Sequence, residues 1–232
     1  VSDVSQRIGD GETDAPGWAA IDDALGRLYP RQVPHQFASQ RAYELDSESP
    51  LPAIAVYEGV RPDHWHYVTY GLSELFEKTS EDPAVSGFGF ELTMRVPRAG
   101  EDTPPSWPLR ALQGLGRYVL GTRAGLDTGH CADLGGSIAP GIESALTCLA
   151  CVPDPLLRKI STPFGALLFL QVVGITNDEL QAMQRLDHEG VVHLLGELNF
   201  HGITDPSRGS YFADPRKAPV LRRYQMGVLL ER

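Results

Sequence analysis

Ser86–Val96 reads SGFGFELTMRV. From Phe88 onward every second residue is large and apolar: Phe88, Phe90, Leu92, Met94 and Val96. A period of two places these on one face of a β-strand and Gly89, Glu91, Thr93 and Arg95 on the other. Opposite charges at Glu91 and Arg95 on that second face suggest a semi-buried pair, or a network with a neighbouring strand. Glycines inside an alternating strand mark room for a neighbour or a close backbone approach.

Upstream, Asp63–Leu75 reads DHWHYVTYGLSEL. As a strand it sets His64, His66, Val68 and Tyr70 on one face and Trp65, Tyr67 and Thr69 on the other. Gly71 breaks it, and LSELFEK begins a short helix or turn. Two further strand-like runs precede it, FASQRAYEL from Phe37 and PAIAVYEGV from Pro52. Before them, Pro16–Pro30 is helical, with Trp18, Ile21, Leu25 and Leu28 on one face. Residues 1–15 read as a disordered acidic tail, polar and without periodicity.

Downstream, PPSWPLRALQGLGRYVLGT is a helix with Ser106 as its candidate N-cap and Leu112, Leu115 and Val119 as its apolar stripe. Thr122–Gly141 is a glycine-rich loop with room for one short strand. ESALTCLACV and FGALLFLQVVGI suit central strands buried on both faces. Thr176 and Glu179 have the spacing of a capping box, and EGVVHLLGEL is another short helix. Residues 16–212 form a single domain of α/β (α+β) class, a central mixed sheet flanked by helices. Residues 213–232 are an extension expected to pack back on it, because Val220, Leu221, Val228 and Leu229 would otherwise stay exposed.

The 232 residues are 42% hydrophobic, enough for a sizeable core, and carry a formal net charge of -10. That charge argues against a nucleic-acid partner, which calls for a basic surface, and suits a basic protein instead. No apolar run approaches the ~20 residues of a membrane span, and the polar first residues resemble neither a secretion signal nor a transit peptide. Three cysteines are too few for a disulfide framework, which points to a reducing, cytoplasmic setting. Only three of the twenty basic residues are lysine, a bias typical of a GC-rich, bacterial genome.

Each catalytic signature is incomplete. His64 and His66 could share a metal, but the third and fourth ligands are missing from the pattern. His130, Cys131, Cys148 and Cys151 make a Cys3His set on paper. Cys148 and Cys151 sit in one strand at an odd separation, however, so they face opposite ways. Ser137 lies in LGGSIAPG without the elbow that exposes a nucleophile. No phosphate-binding glycine motif is present. Glu91, with Arg95 as its expected partner, is the one acid expected to be part-buried, and it lacks a cleft partner. The sequence therefore implies no metal and no cofactor.

What remains is aromatic and glycine punctuation: HWHYVTYGLSEL, SGFGFEL, PPSWPLRALQGLGRYV and TPFGALLFLQVVGIT. In that order and spacing, over Pro16 to Arg208, these segments resemble the Suppressor of fused family. The resemblance implies a mixed α/β domain without enzymatic activity. In animals this family sequesters zinc-finger transcription factors, an extended peptide adding as a strand between this domain and a second one, for which the present chain is too short. Bacterial relatives are thought to act as immunity proteins against toxins. Position by position, the resemblance implies a groove tyrosine at Tyr118, a hydrophobic groove residue at Leu126 where animal proteins carry phenylalanine, and His130 where they carry an aspartate. The expectation is a non-catalytic protein-binding domain for a basic protein or extended peptide. The alternative is an enzyme using His64, His66 and His130, which requires those three side chains to converge on one pocket.

Overall fold

The computed structural model describes residues 15–38 and 49–226. The expected tail at residues 1–14, most of the strand expected after Phe37, and Val228 and Leu229 lie outside the described residues.

Among the described residues, eight strands form one sheet: β1 His35–Ala38, β2 Ala53–Gly59, β3 His64–Tyr70, β4 Val85–Pro97, β5 Cys131–Asp133, β6 Cys148–Pro153, β7 Ile160–Thr162 and β8 Gly165–Ile175. Their order is β1-β2-β3-β4-β8-β6-β5, with β7 paired to β8. All pairs are antiparallel except β4 with β8. The α-helices of the described residues that pack on it are α1 Pro16–Leu28, α2 Trp107–Thr122, α3 Asn177–Met183, α4 His188–Leu198 and α5 Ala218–Gln225.

The period-two alternation sorts the side chains into separate cores. On one face, Ile54, Val56, Trp65, Tyr67, Phe90, Leu92, Met94, Val96, Leu149 and Cys151 pack under Trp107, Leu112 and Val119 of α2. On the other face, α1 covers Ala55, Tyr57, Val68 and Phe169 with Ile21, Leu25 and Tyr29. Beside it, α3, α4 and α5 cover Cys148, Ala150, Val173 and Ile175. Cys148 and Cys151 thus lie in opposite cores, as their odd spacing requires. Leu221 and Tyr224 of α5 are buried in the α3–α4 core.

Gly87 has φ 56, and a Cβ there would lie 2.6 Å from the Leu72 carbonyl oxygen. The glycine therefore marks the close approach of two backbones, and a register shift between Val85 and Phe90 accompanies it. LSELFEK is bends rather than helix, held down by Glu74, whose carboxylate accepts the amides of Thr79, Ser80 and Gly87. Ser106 precedes α2 as expected, but its hydroxyl caps no amide and instead accepts a hydrogen bond from Arg110.

The expected Glu91–Arg95 pair does not form. Four residues along a strand separate them by roughly 13 Å. Both are fully buried, and each has other partners. Glu91 accepts the amides of Gly71, Leu72 and Ser73 and the hydroxyls of Ser73 and Thr69. Burial raises its pKa, and those donors act against the rise. Arg95 donates to Asp154 at 2.7 Å and to Gln171 at 2.8 Å. Nor is Glu91 alone among buried acids, since Glu74, Asp154 and Glu179 are also buried.

Candidate functional site

The amphipathic pattern of α2 sets one side of a groove. Trp107, Leu112 and Val119 anchor the helix in the core, and Gly116 lets it sit close, a Cβ there falling 2.6 Å from Leu51. Tyr118, on the opposite side, is left 51% exposed. Arg123 ends the helix in the left-handed conformation at φ 57, and the chain then turns back through Leu126 to β5. After β5, the segment 134–146 folds under α2. Ile138 and Ala139 are buried, and Arg110 ties the segment to the helix by donating to the Pro140 carbonyl at 2.9 Å.

Between these parts lies a groove of about 490 Å³. Its lining is mainly apolar, including Leu115, Leu126, Leu134, Ile138 and Leu149, with Tyr118 and Arg110 at its sides. Tyr118 and Leu126 therefore meet in one groove. His130 is not among its lining residues. Its Nδ1 accepts the Asp127 amide at 3.1 Å, and its ring stands edge-on to His188, 5.2 Å between centroids.

The groove borders a free sheet edge. β5 ends the strand order, and only β6 pairs with it among the described residues. The Cys151 amide donates to His130 O and the Leu134 amide to Thr147 O, so residues 130 and 134 direct backbone groups at β6. By alternation, the N–H and C=O of Cys131 and Asp133 point outward. Ala132 and Asp133 are exposed. Such an arrangement offers backbone donors and acceptors for an added strand, and an apolar slot for one of its side chains.

The histidines do not converge. β3, which holds His64 and His66, is four strand positions from β5, or roughly 19 Å. His66 is fully buried. Its Nδ1 meets the Tyr29 hydroxyl at 2.8 Å, and its Nε2 lies 3.2 Å from Asp154 Oδ2. A hydroxyl donating to Nδ1 leaves the ring proton on Nε2, facing the carboxylate. Burial, then the Arg95 charge, lowers the His66 pKa to about 4. Burial alone would raise Asp154, but His66 and Arg95 more than offset it and hold that carboxyl well below its ordinary range. His64 Nδ1 donates to the Pro62 carbonyl at 2.7 Å. This is a buried seam joining α1, β3, β4 and the turn after β6. Among the described residues, no group of three or more His, Cys, Asp or Glu is arranged to hold a metal ion. Ser137 Oγ accepts the Ala139 amide at 3.1 Å, and no histidine lines the groove beside it.

Sequence reasoning missed Arg110, Leu134 and Ile138 as groove residues, and Asp154 as the centre of the seam. The apolar side chains of Leu134 and Ile138 in a glycine-rich loop were the available signal.

A family model described as Suppressor of fused protein matches residues 48–209. The human Suppressor of fused homolog is 36% identical over 211 residues, covering 83% of this chain and 43% of that protein, and the mouse homolog matches to the same extent. The chain thus spans less than half the length of these curated relatives. Among solved structures, it is similar to a chain of a Sufu–Fu complex (TM-score 0.80, 32% identity, covering 89% of this chain and 97% of that one). It is also similar to Drosophila Suppressor of Fused (TM-score 0.82, 32% identity, 94% of this chain and 56% of that one). A putative homolog from Neisseria gonorrhoeae shares the fold, at TM-score 0.54 and 14% identity over 84% of this chain and 96% of that one.

Proposed function

The chain belongs to the Suppressor of fused family, and on that premise we propose that it is a non-catalytic binding module that takes an extended segment of a partner protein as an added strand on the outer edge of β5. The observation that supports this reading is the free edge of β5 beside an apolar groove. Main-chain bonds to Cys131 and Asp133 supply affinity, and the slot between Tyr118 and Leu126 supplies choice. Among the described residues the outer edge of β1 is also unpaired, but its adjoining hollow, lined by Gln32, Val33, His35, Val56 and Glu58, is half the size, about 230 Å³.

In its finer form, the proposal is that of a bacterial immunity protein that neutralises a toxin in the cytoplasm. The net charge of -10 suits a basic partner, whose approach it would accelerate. All three cysteines are free, in keeping with a reducing compartment. No helix among the described residues is long and apolar enough to cross a membrane.

The test is affinity capture from lysate of the source organism with the wild type and a Tyr118→Ala, Leu126→Asp double variant, followed by mass spectrometry. The reading expects a protein held by the wild type and lost by the variant, with both baits equally folded by circular dichroism. A partner retained equally by both would refute the groove.

A further inference from the structure

We infer that the β5 groove selects a segment bearing a carboxylate next to its apolar anchor, and that Arg110 is the residue that recognises it. This rests on the groove reading above.

Arg110 is exposed and lines the groove at the end closed by Pro140. Its guanidinium donates to two neutral acceptors, Ser106 Oγ at 3.1 Å and Pro140 O at 2.9 Å. A guanidinium has five N–H donors, so donors remain for a planar, bidentate acceptor. Among the described residues it has no ion-pair partner, and α2 contains no acidic residue that could supply one. The other charged lining residue, Asp133, does not balance it. Asp133 pairs across the strands with Cys148, whose side chain lies in the α3–α5 core. The carboxylate of Asp133 is therefore directed to the far face of the sheet. On the groove's own face the charge is positive, and the surrounding lining is apolar.

This local charge opposes the charge of the whole chain, and the two act at different stages. The overall negative field steers a partner over distances up to about a Debye length, roughly 8–10 Å. Contact selectivity is set inside the groove, where a fixed cation beside apolar walls favours a carboxylate and disfavours a lysine. The occupant is an extended segment of another protein: a large apolar residue in the slot, an Asp or Glu two or three positions away, and no charge between.

The experiment is selection of random octapeptides displayed on phage against immobilised wild type, Arg110→Glu and Leu126→Asp, each first checked for an unchanged thermal melt. The wild type should enrich peptides with Asp or Glu near a large apolar residue, and Arg110→Glu should shift the enrichment to Lys or Arg. A synthetic peptide from the wild-type pool should lose about three- to tenfold in affinity for Arg110→Gln at low salt, and less as ionic strength rises. Enrichment that depends on Leu126 but shows no acidic bias would overturn the role of Arg110 and leave the groove standing. Equal enrichment by wild type and Leu126→Asp would overturn the groove, and this inference with it.

Discussion

Replacing Asp154 with alanine should destabilise the protein more than any single surface change. The carboxylate is fully buried and has five polar neighbours. It accepts from Arg95 Nη2 at 2.7 Å, from Thr93 Oγ1 at 2.8 Å and from the amides of Leu156 and Leu157 at 2.9 Å each, and it faces His66 Nε2 at 3.2 Å. Arg95 is 0% exposed, and without Asp154 its remaining acceptors would be neutral oxygens, those of Gln171 and His201 among them. Removing one partner of a buried ion pair costs about 3–5 kcal/mol, because a charge is left uncompensated. The lost amide and hydroxyl bonds belong to the same network, so their roughly 1 kcal/mol contributions are not simply added. Against a typical total of about 5–15 kcal/mol, this is a large fraction. At this chain length the melting temperature should fall by about 6–20 °C. Urea titration followed by tryptophan emission reads the change, since Trp65 and Trp107 are both buried. An Asp154→Leu, Arg95→Met double variant removes both charges and should recover much of the loss. A loss under about 1 kcal/mol for Asp154→Ala, or a double variant as unstable as the two singles combined, would refute the assignment of the seam.

The same seam makes stability depend on acid. His66 titrates near its ordinary 6.5 when unfolded and at about 4 when folded. Between those values the unfolded chain holds a proton that the folded one lacks, so stability is complete above pH 6.5 and declines toward pH 4. The decline should reach about 3 kcal/mol, and urea midpoints across that window should flatten in His66→Gln. Glu179 is fully buried and accepts from both Arg208 Nη atoms at 2.8 Å and from the Tyr211 amide at 2.6 Å. Glu179→Ala should cost about 2–4 kcal/mol and speed amide exchange over residues 205–212, read by mass spectrometry. Gly87→Ala adds a Cβ at positive φ against the Leu72 carbonyl, and thermal melts should show a loss of about 2 kcal/mol or more.

The fold was legible where its pattern is local. Alternation gave β3, β4 and the opposite facing of Cys148 and Cys151, and helical spacing gave α1 and α2. The partners within the sheet were not legible, because they are set by topology. Arg95 looked paired with Glu91, its neighbour on the same strand face, but found Asp154 and Gln171, 59 and 76 residues away. His66 likewise meets Tyr29 and Asp154, side chains that lie on other elements. β7, three residues long, offers no period to detect. At the groove, Tyr118 and Leu126 came from family resemblance, whereas Arg110 looked like an ordinary exposed residue of α2. Its place became visible only when the loop after β5 folded against that helix. His130 was carried over with them, but its ring turns toward α4.

The central claim is that a partner pairs with the outer edge of β5, and amide hydrogen exchange of the protein with its captured partner tests it most directly. The account predicts that binding slows exchange at Cys131 and Asp133, whose backbone groups point outward, while His35–Ala38 at the opposite end of the sheet exchanges as before. Protection at His35–Ala38 or elsewhere, with Cys131 and Asp133 unchanged, would contradict it.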